Sequence, residues 1–526
     1  MILNKIKTTV ICISLFTAVG CTGDFEDINT NPYGAGSEIL EQDFNNIKSL
    51  FPPMFNNVLV VNPEWYYQVQ QGLQGDIWSG YMSTPTPFAG GSNNTTYNLV
   101  EGWNFYAWDA AYINIMANNL KIKQRAEEKY SQFYALSLII KVQAMHRVTD
   151  MYGPCVYSQF GTENPVIAYD SQEEVYNEMF ADLDYAVENL SARINANEPS
   201  TFVGTDLTAY NGDYTKWVIY ANSLRLRLAM RLVKINPTLA KTQAEKAMAQ
   251  EFGVMQTNDD SCVLVSPNYN NPIAVITSSW EDILMSADME SNMVGYKDPR
   301  LAAYFKTSTE FPGTYKGVRT GIEIAAKADH TGFSQIGDVV FTNKIVWMPA
   351  AEIYFLRAEG ALRGWNMGGS AQSLYETGIA TSFAQYSLPG ANEYAANNVD
   401  MAKDYVDPTD ATNNGVAVNK VTIAWDATST NEVNLQRIIT QKWIAGFPEG
   451  QEAWSEQRRT GYPVLLQVLK NTSGGKITTQ YGVRRLEFAK SEKAGNPGGV
   501  VTGEAELGGP DTGGTRLWWD TTTPNF

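Results

Sequence analysis

His146 and His330 are the only histidines in the 526-residue chain, so imidazole chemistry starts from a narrow supply. No HExxH pair is present, and Gly332-Phe333-Ser334-Gln335-Ile336-Gly337 misses the GxSxG nucleophile elbow by one position. His146 ends an apolar helical stripe and reads as a packed residue. A glycosidase needs two carboxylates about 5–10 Å apart. With 56 Asp and Glu in the chain, any sequence pair is uninformative. Asp407, Asp410 and Asn413 lack the alternating spacing of a calcium loop and read as an Asx-rich turn. With no CxxC pair, a zinc site has no ligand set either. The residues point to no catalyst, no cofactor and no metal.

Binding chemistry is better supplied. The chain holds 13 Trp, 28 Tyr and 21 Phe. A sugar ring offers a C–H face that an aromatic can cover and a hydroxyl edge that Asn, Asp or Arg can bond. Residues 65–106 interleave such groups: Trp65, Tyr66, Tyr67, Trp78, Tyr81, Phe88, Tyr97, Trp103 and Tyr106 with Asn93, Asn94, Asn98 and Asn104. A second patch is Asn268-Tyr269-Asn270-Asn271 with Trp280. The candidate ligand contacts are Trp78, Tyr81, Asn93, Tyr97, Trp103, Tyr269, Asn271 and Trp280. Trp108, Trp217, Trp347, Trp443 and Trp518 sit on helical or terminal patterns and read as core.

Helices must position these loops. Phe133, Leu136, Ile140, Ala144 and Val148 form one stripe, closed by Gly153-Pro154. Ser171 and Glu174 fit a capping box ahead of Val175, Met179, Leu183, Ala186 and Leu190. Trp217, Ala221, Leu224, Leu228 and Leu232 follow, then an Ala-rich stretch from Leu239 to Ala249. Ala350–Arg363 and Ala371–Phe383 read as another pair, as do Leu435–Ala445 and Gln451–Arg459. The chain is therefore mainly α. Four helix pairs, at about 131–190, 215–250, 350–383 and 435–459, suggest degenerate tetratricopeptide-type units. Loop-rich stretches at about 60–106, 255–345, 384–432 and 460–526 separate them, and long ordered loops often carry function. Residues 489–515 read as a Gly-rich insertion.

The start of the chain is different in kind. Lys5 and Lys7 precede an apolar run from Thr8 to Gly20 that is too short to span a bilayer and reads as a signal peptide. It ends at Ala18-Val19-Gly20-Cys21, which resembles a bacterial lipobox and makes Cys21 the expected lipidation site. Acylation by at least two chains would anchor the protein stably. Loss of residues 1–20 removes Lys5, Lys7 and no acid, taking the formal charge from −17 to −19. A charge of that sign excludes a phosphate-backbone grip. Residues 21–38 read as a tether and 39–526 as a single body. Cys155 and Cys262 leave one disulfide conceivable and no framework.

These residues together resemble a known family. Cys21 followed by Asp24-Phe25-Glu26-Asp27-Ile28-Asn29-Thr30-Asn31-Pro32 is similar to the mature start of SusD/RagB lipoproteins. Thr149-Asp150-Met151-Tyr152-Gly153-Pro154, Ala221-Asn222-Ser223-Leu224 and Ser286-Ala287-Asp288-Met289-Glu290-Ser291 continue the series. So do Asp298-Pro299-Arg300, Tyr315-Lys316-Gly317-Val318-Arg319, Arg357-Ala358-Glu359-Gly360-Ala361-Leu362-Arg363-Gly364 and Leu517-Trp518-Trp519-Asp520. The resemblance implies a SusD-like fold, with helix pairs packed against a loop-rich ligand-binding part. It implies an outer-membrane lipoprotein on the extracellular face that passes captured glycan to a SusC-like TonB-dependent transporter. A RagB-like peptide ligand is the alternative, and a surface glycosidase a remote one.

Overall fold

The expected helices are present in the computed structural model, which describes residues 42–526. The signal peptide, Cys21 and the tether lie outside the described residues. Asn45–Lys48 is a single helical turn within the first unit, and Leu50–Phe526 forms the second.

Within the second unit the longer helices are α1 (Phe51–Val58), α2 (Ala117–Ala126), α3 (Ser131–Tyr152) and α4 (Gln172–Asn195). They continue as α5 (Tyr214–Arg231), α6 (Pro237–Ala249), α7 (Ala350–Leu362) and α8 (Ala371–Gln385). Last come α9 (Asn431–Ala445), α10 (Gly450–Thr460) and α11 (Pro497–Glu506). Strands are few and short: β1 (Met82–Ser83) pairs antiparallel with β3 (Leu284–Met285), and β2 (Cys262–Val265) with β4 (Lys344–Met348). In the second pair Val265 faces Lys344 and Cys262 faces Met348, with a register shift after Cys262.

Local chemistry explains the ends. Ser171 Oγ accepts from Glu174 N at 3.2 Å while Ser171 N donates to Glu174 Oε2 at 2.8 Å, the reciprocal cap that the sequence proposes. Asp213 caps α5 through Thr215 N and Lys216 N, and Asn236 with Pro237 starts α6. Gly153, at φ 89°, ends α3. That helix is buried on every side, so its stripe is only the most apolar part of an all-round core contact. The tetratricopeptide description is not needed to account for the pairs.

The stretch read as a Gly-rich insertion holds α11. Gly498, Gly499 and Gly503 on that helix serve contact: a Cβ on Gly503 would lie 2.5 Å from the Tyr169 ring, so only glycine admits that approach.

Charge holds the helical pairs in register. Arg231 on α5 reaches Glu452 at 2.6 Å and Asp150 at 3.1 Å, and Arg227 reaches Glu352 at 2.7 Å. Lys442 on α9 bonds Glu456 at 3.1 Å and Glu452 at 3.2 Å, and Arg459 bonds Glu359 at 2.7 Å. All these groups are buried. Burial alone would raise the Glu452 carboxyl, but Arg231, Lys442 and Arg227 outweigh it and pull it down to about 2. His146 lies in this interior at 2 % exposure, its Nδ1 3.2 Å from the Val142 carbonyl. Burial drives its pKa well below the usual imidazole value, so it is a neutral core residue.

Candidate functional site

The segment after α1 turns sharply. Glu64–Tyr67 makes one helical turn and Gln68–Gly72 a wider π turn. Trp65, Tyr66 and Tyr106 then meet, with Tyr66 edge-on to Tyr106 at 4.6 Å and Trp65 edge-on to Tyr106 at 5.5 Å. The Tyr66 hydroxyl donates to the Tyr106 carbonyl at 3.2 Å. Phe88 stands edge-on to Trp103 at 5.8 Å. Asn94 holds the loop between them: its Nδ2 donates to Leu73 O at 3.0 Å and its Oδ1 accepts from Val100 N at 2.9 Å. Such edge-on pairs fix ring orientation before any ligand arrives.

One carboxylate joins this segment to the second loop patch. Asp282 accepts from Gln68 Nε2 at 2.9 Å, from Thr86 Oγ1 at 2.6 Å and from Lys327 Nζ at 2.9 Å. The same lysine donates to the Trp280 carbonyl. Three segments distant in sequence thus converge beside Trp280. Trp65 is 46 % exposed and Tyr269 39 %, while Phe88, Trp103 and Trp280 are partly exposed. The result is two loops carrying exposed rings, with Trp65, Phe88 and Trp103 held in edge-on pairs and the Asp282 carboxylate joining the loops.

The eight candidate contacts divide. Trp103, Tyr269 and Trp280 keep accessible surface in these two loops. Tyr81 does not: its ring is fully enclosed, edge-on to Phe447 at 5.4 Å, and its hydroxyl is spent on the Trp443 carbonyl. Asn93 is buried because its side chain serves its own turn, accepting from Thr95 N at 2.9 Å and donating to Phe88 O at 2.7 Å. Asn271 is buried as the N-cap of Pro272–Ser278, accepting from Ile273 N. Trp78 and Tyr97 line a separate cleft with Tyr481 and Asp288. Sequence reasoning missed Asp282, Lys327 and Thr86, and a lone acid among so many carried no signal that could have found it.

The other candidate chemistry resolves into structure. Asp407 Oδ1 accepts from Thr409 N at 2.8 Å, and Asp410 Oδ1 accepts from Thr412 N at 2.9 Å, so both are Asx turns. No group of three metal-ligating side chains occurs among the described residues. Cys155 and Cys262 are buried free thiols. No helix among the described residues is long and apolar enough to cross a membrane.

The family model for SusD-like proteins, described as Susd and RagB outer membrane lipoprotein, matches residues 27–520. A solved structure described as a chitin-binding SusD homolog from Flavobacterium johnsoniae is 64% identical, with a TM-score of 0.91. That match covers 92% of this chain and 100% of the other. A SusD homolog from Bacteroides vulgatus is 36% identical, with TM-score 0.88, covering 92% of this chain and 100% of its own. One from Bacteroides uniformis is 34% identical, with TM-score 0.84, covering 90% and 99% respectively. No curated protein matches the sequence at a significant level.

Proposed function

We propose that this chain, which belongs to the SusD-like family of outer-membrane lipoproteins, captures chitin-type glycan at the cell surface through the aromatic face around Trp65, Trp103 and Trp280. One observation carries the reading. A chain matching the full length of a chitin-binding homolog at 64% identity also carries exposed rings in two loops joined by Asp282. Exposed aromatic surface suits a polymer, because successive rings can each cover one sugar and rigid side chains lose little entropy on binding.

The captured glycan then passes to a partner TonB-dependent transporter, with Cys21 acylated and the body on the extracellular face of the outer membrane. No catalytic step is part of this role.

The test is depletion from solution by insoluble chitin, with cellulose as the control polymer. Retention on chitin that Trp65→Ala and Trp280→Ala weaken about tenfold each supports the reading. Equal retention by wild type and both variants removes the aromatic face from it, and no retention on chitin removes the ligand. A bound oligopeptide found by native mass spectrometry of the extracted protein would replace glycan with peptide.

A further inference from the structure

The segment holding Ile77, Trp78 and Gly80, with α10 and the loops 465–468 and 479–483, lines a cleft of about 80 Å³. Tyr97 and Tyr481 line it, with Trp454 beside Trp78 at 4.8 Å. Tyr481 is 49 % exposed, and the Arg516 guanidinium holds its ring from 4.7 Å. Tyr97 stands at φ 64°, a left-handed conformation that bulky residues rarely take. Its hydroxyl projects over Gly482, where a Cβ would come within 3.1 Å.

Some polar groups of this cleft keep unused bonding capacity, while Thr479, Trp454 and Trp78 are bonded to the protein. Asp288 is 4 % exposed and uses only Oδ1, which accepts from Leu466 N at 2.8 Å. Thr320 Oγ1 is buried with no hydrogen bond. Among the described residues nothing bonds the Gln457 amide or the Tyr97 hydroxyl. Buried polar groups are normally satisfied, and the orphaned Thr320 hydroxyl asks for a bonding partner in the space it lines. Asp288 is the only acid or base on the lining. The nearby Arg319 guanidinium gives its two terminal nitrogens to the carbonyls of Asn413, Asn414 and Gln467, and its Nε is buried without a partner. An anionic ligand would meet a carboxyl with no cation among the lining residues to offset it. Aromatic walls with hydroxyl, amide and carboxyl groups between them match a neutral ring carrying several hydroxyls. Burial holds the Asp288 carboxyl up at about 7, so near neutrality it can donate to or accept from such a hydroxyl.

We propose that the cleft bounded by Tyr97, Tyr481, Asp288, Thr320 and Gln457 is a second carbohydrate site, which takes one neutral pyranose residue of an oligosaccharide. It rests on the glycan reading for the class of ligand but on separate residues for the site. The two sites have different shapes: the face accepts a run of sugars, the cleft a single residue.

Native mass spectrometry and calorimetry with the soluble trisaccharide of β-1,4-linked N-acetylglucosamine test it. Wild type is expected to bind two molecules per chain. Tyr481→Ala, which removes an exposed ring whose hydroxyl bonds nothing, is expected to weaken one of them at least tenfold. Thr320→Val, which keeps the shape and deletes one hydroxyl, is expected to weaken the same site by a similar factor. Trp65→Ala is expected to weaken only the other. Unchanged binding in both Tyr481→Ala and Thr320→Val, with loss in Trp65→Ala, overturns the cleft and leaves the glycan reading standing. Loss in the cleft variants alone keeps the cleft and overturns the face. No binding by wild type overturns both.

Discussion

Gly450 opens α10 directly against the short helical turn Gly75–Trp78 inside the aromatic segment. A Cβ placed on it would lie 2.4 Å from Asp76 Cα, 2.4 Å from Asp76 Oδ1 and 2.8 Å from Asp76 N. The contact is reciprocal, since a Cβ on Gly75 would lie 2.8 Å from Gln451 Cα. Two of the three atoms facing Gly450 are backbone and cannot rotate aside. Reaching ordinary van der Waals separation requires the segments to part by about 1 Å, beyond what a packed interior absorbs without cost. Parting also strains a set of buried hydrogen bonds: Gly450 N to Asp76 Oδ1 at 3.2 Å, Gln71 Nε2 to Asp76 Oδ1 at 3.0 Å and the Tyr67 hydroxyl to Asp76 Oδ2 at 3.1 Å. Overpacking of about 1–3 kcal/mol and about 1–2 kcal/mol for one compromised buried bond give a Gly450→Ala cost of about 2–5 kcal/mol. Thermal unfolding followed by circular dichroism measures it against Gly495→Ala, a helical glycine with nothing within 4 Å, where alanine is expected to be neutral or slightly stabilising. By the size dependence of thermal shifts, Gly450→Ala should lower the midpoint by several degrees. A midpoint within one degree of the Gly495→Ala protein would refute the close approach.

Asp76 itself predicts a pH dependence. Burial pushes its carboxyl up to about 8, above the unfolded value near 3.8, so the folded state holds the proton more tightly. Its contribution is present at low pH and is lost as pH rises towards 8, with a limiting slope of about 1.4 kcal/mol per unit. Asp76→Asn should therefore flatten the fall in thermal midpoint between pH 5 and 8, and an unchanged slope would remove Asp76 as its source. Asp282→Ala should leave the thermal midpoint within a few degrees of wild type but weaken chitin retention, since the carboxylate joins loops rather than filling core. Retention equal to wild type would show that the join does not position the rings. Cys21→Ala should fold normally but leave the outer membrane for the soluble fraction, as seen by fractionation and immunoblotting. Undiminished membrane retention would contradict acylation at that residue.

The scaffold was legible in the sequence because its rules are local. The Ser171 cap, the Gly153 stop and the apolar stripes each need only a few neighbouring residues to be recognised. The family-like motifs are explained by the same scaffold. Asp298 and Arg300 form a fully buried pair at 2.6 Å, and Arg300 also bonds Gln441 at 2.8 Å. Asp150 accepts from Trp519 Nε1 at 2.8 Å and from the Tyr176 hydroxyl at 2.7 Å. Glu359 meets Arg459. These motifs mark where charge must be matched inside the body, and they say nothing about the ligand. The loops were legible as aromatic and amide-rich, but composition could not separate Trp280, with surface to spare, from Tyr81, with none. That difference depends on partners such as Phe447 and Trp443, hundreds of residues away. Asn93 and Asn271 are buried caps, and an Asn that caps its own turn has the same sequence look as one that meets a sugar.

The matched charges of the helical body have a consequence for how it assembles. Arg231, Glu352, Glu359, Lys442, Glu452, Glu456 and Arg459 come from four separate helices, α5, α7, α9 and α10. A subset of those helices docked without the rest would bury ions lacking counterparts, which costs several kcal/mol for each. Partly assembled states are thereby disfavoured, and the two halves of the sequence become one cooperative folding unit rather than a stack of pairs that could fray one at a time.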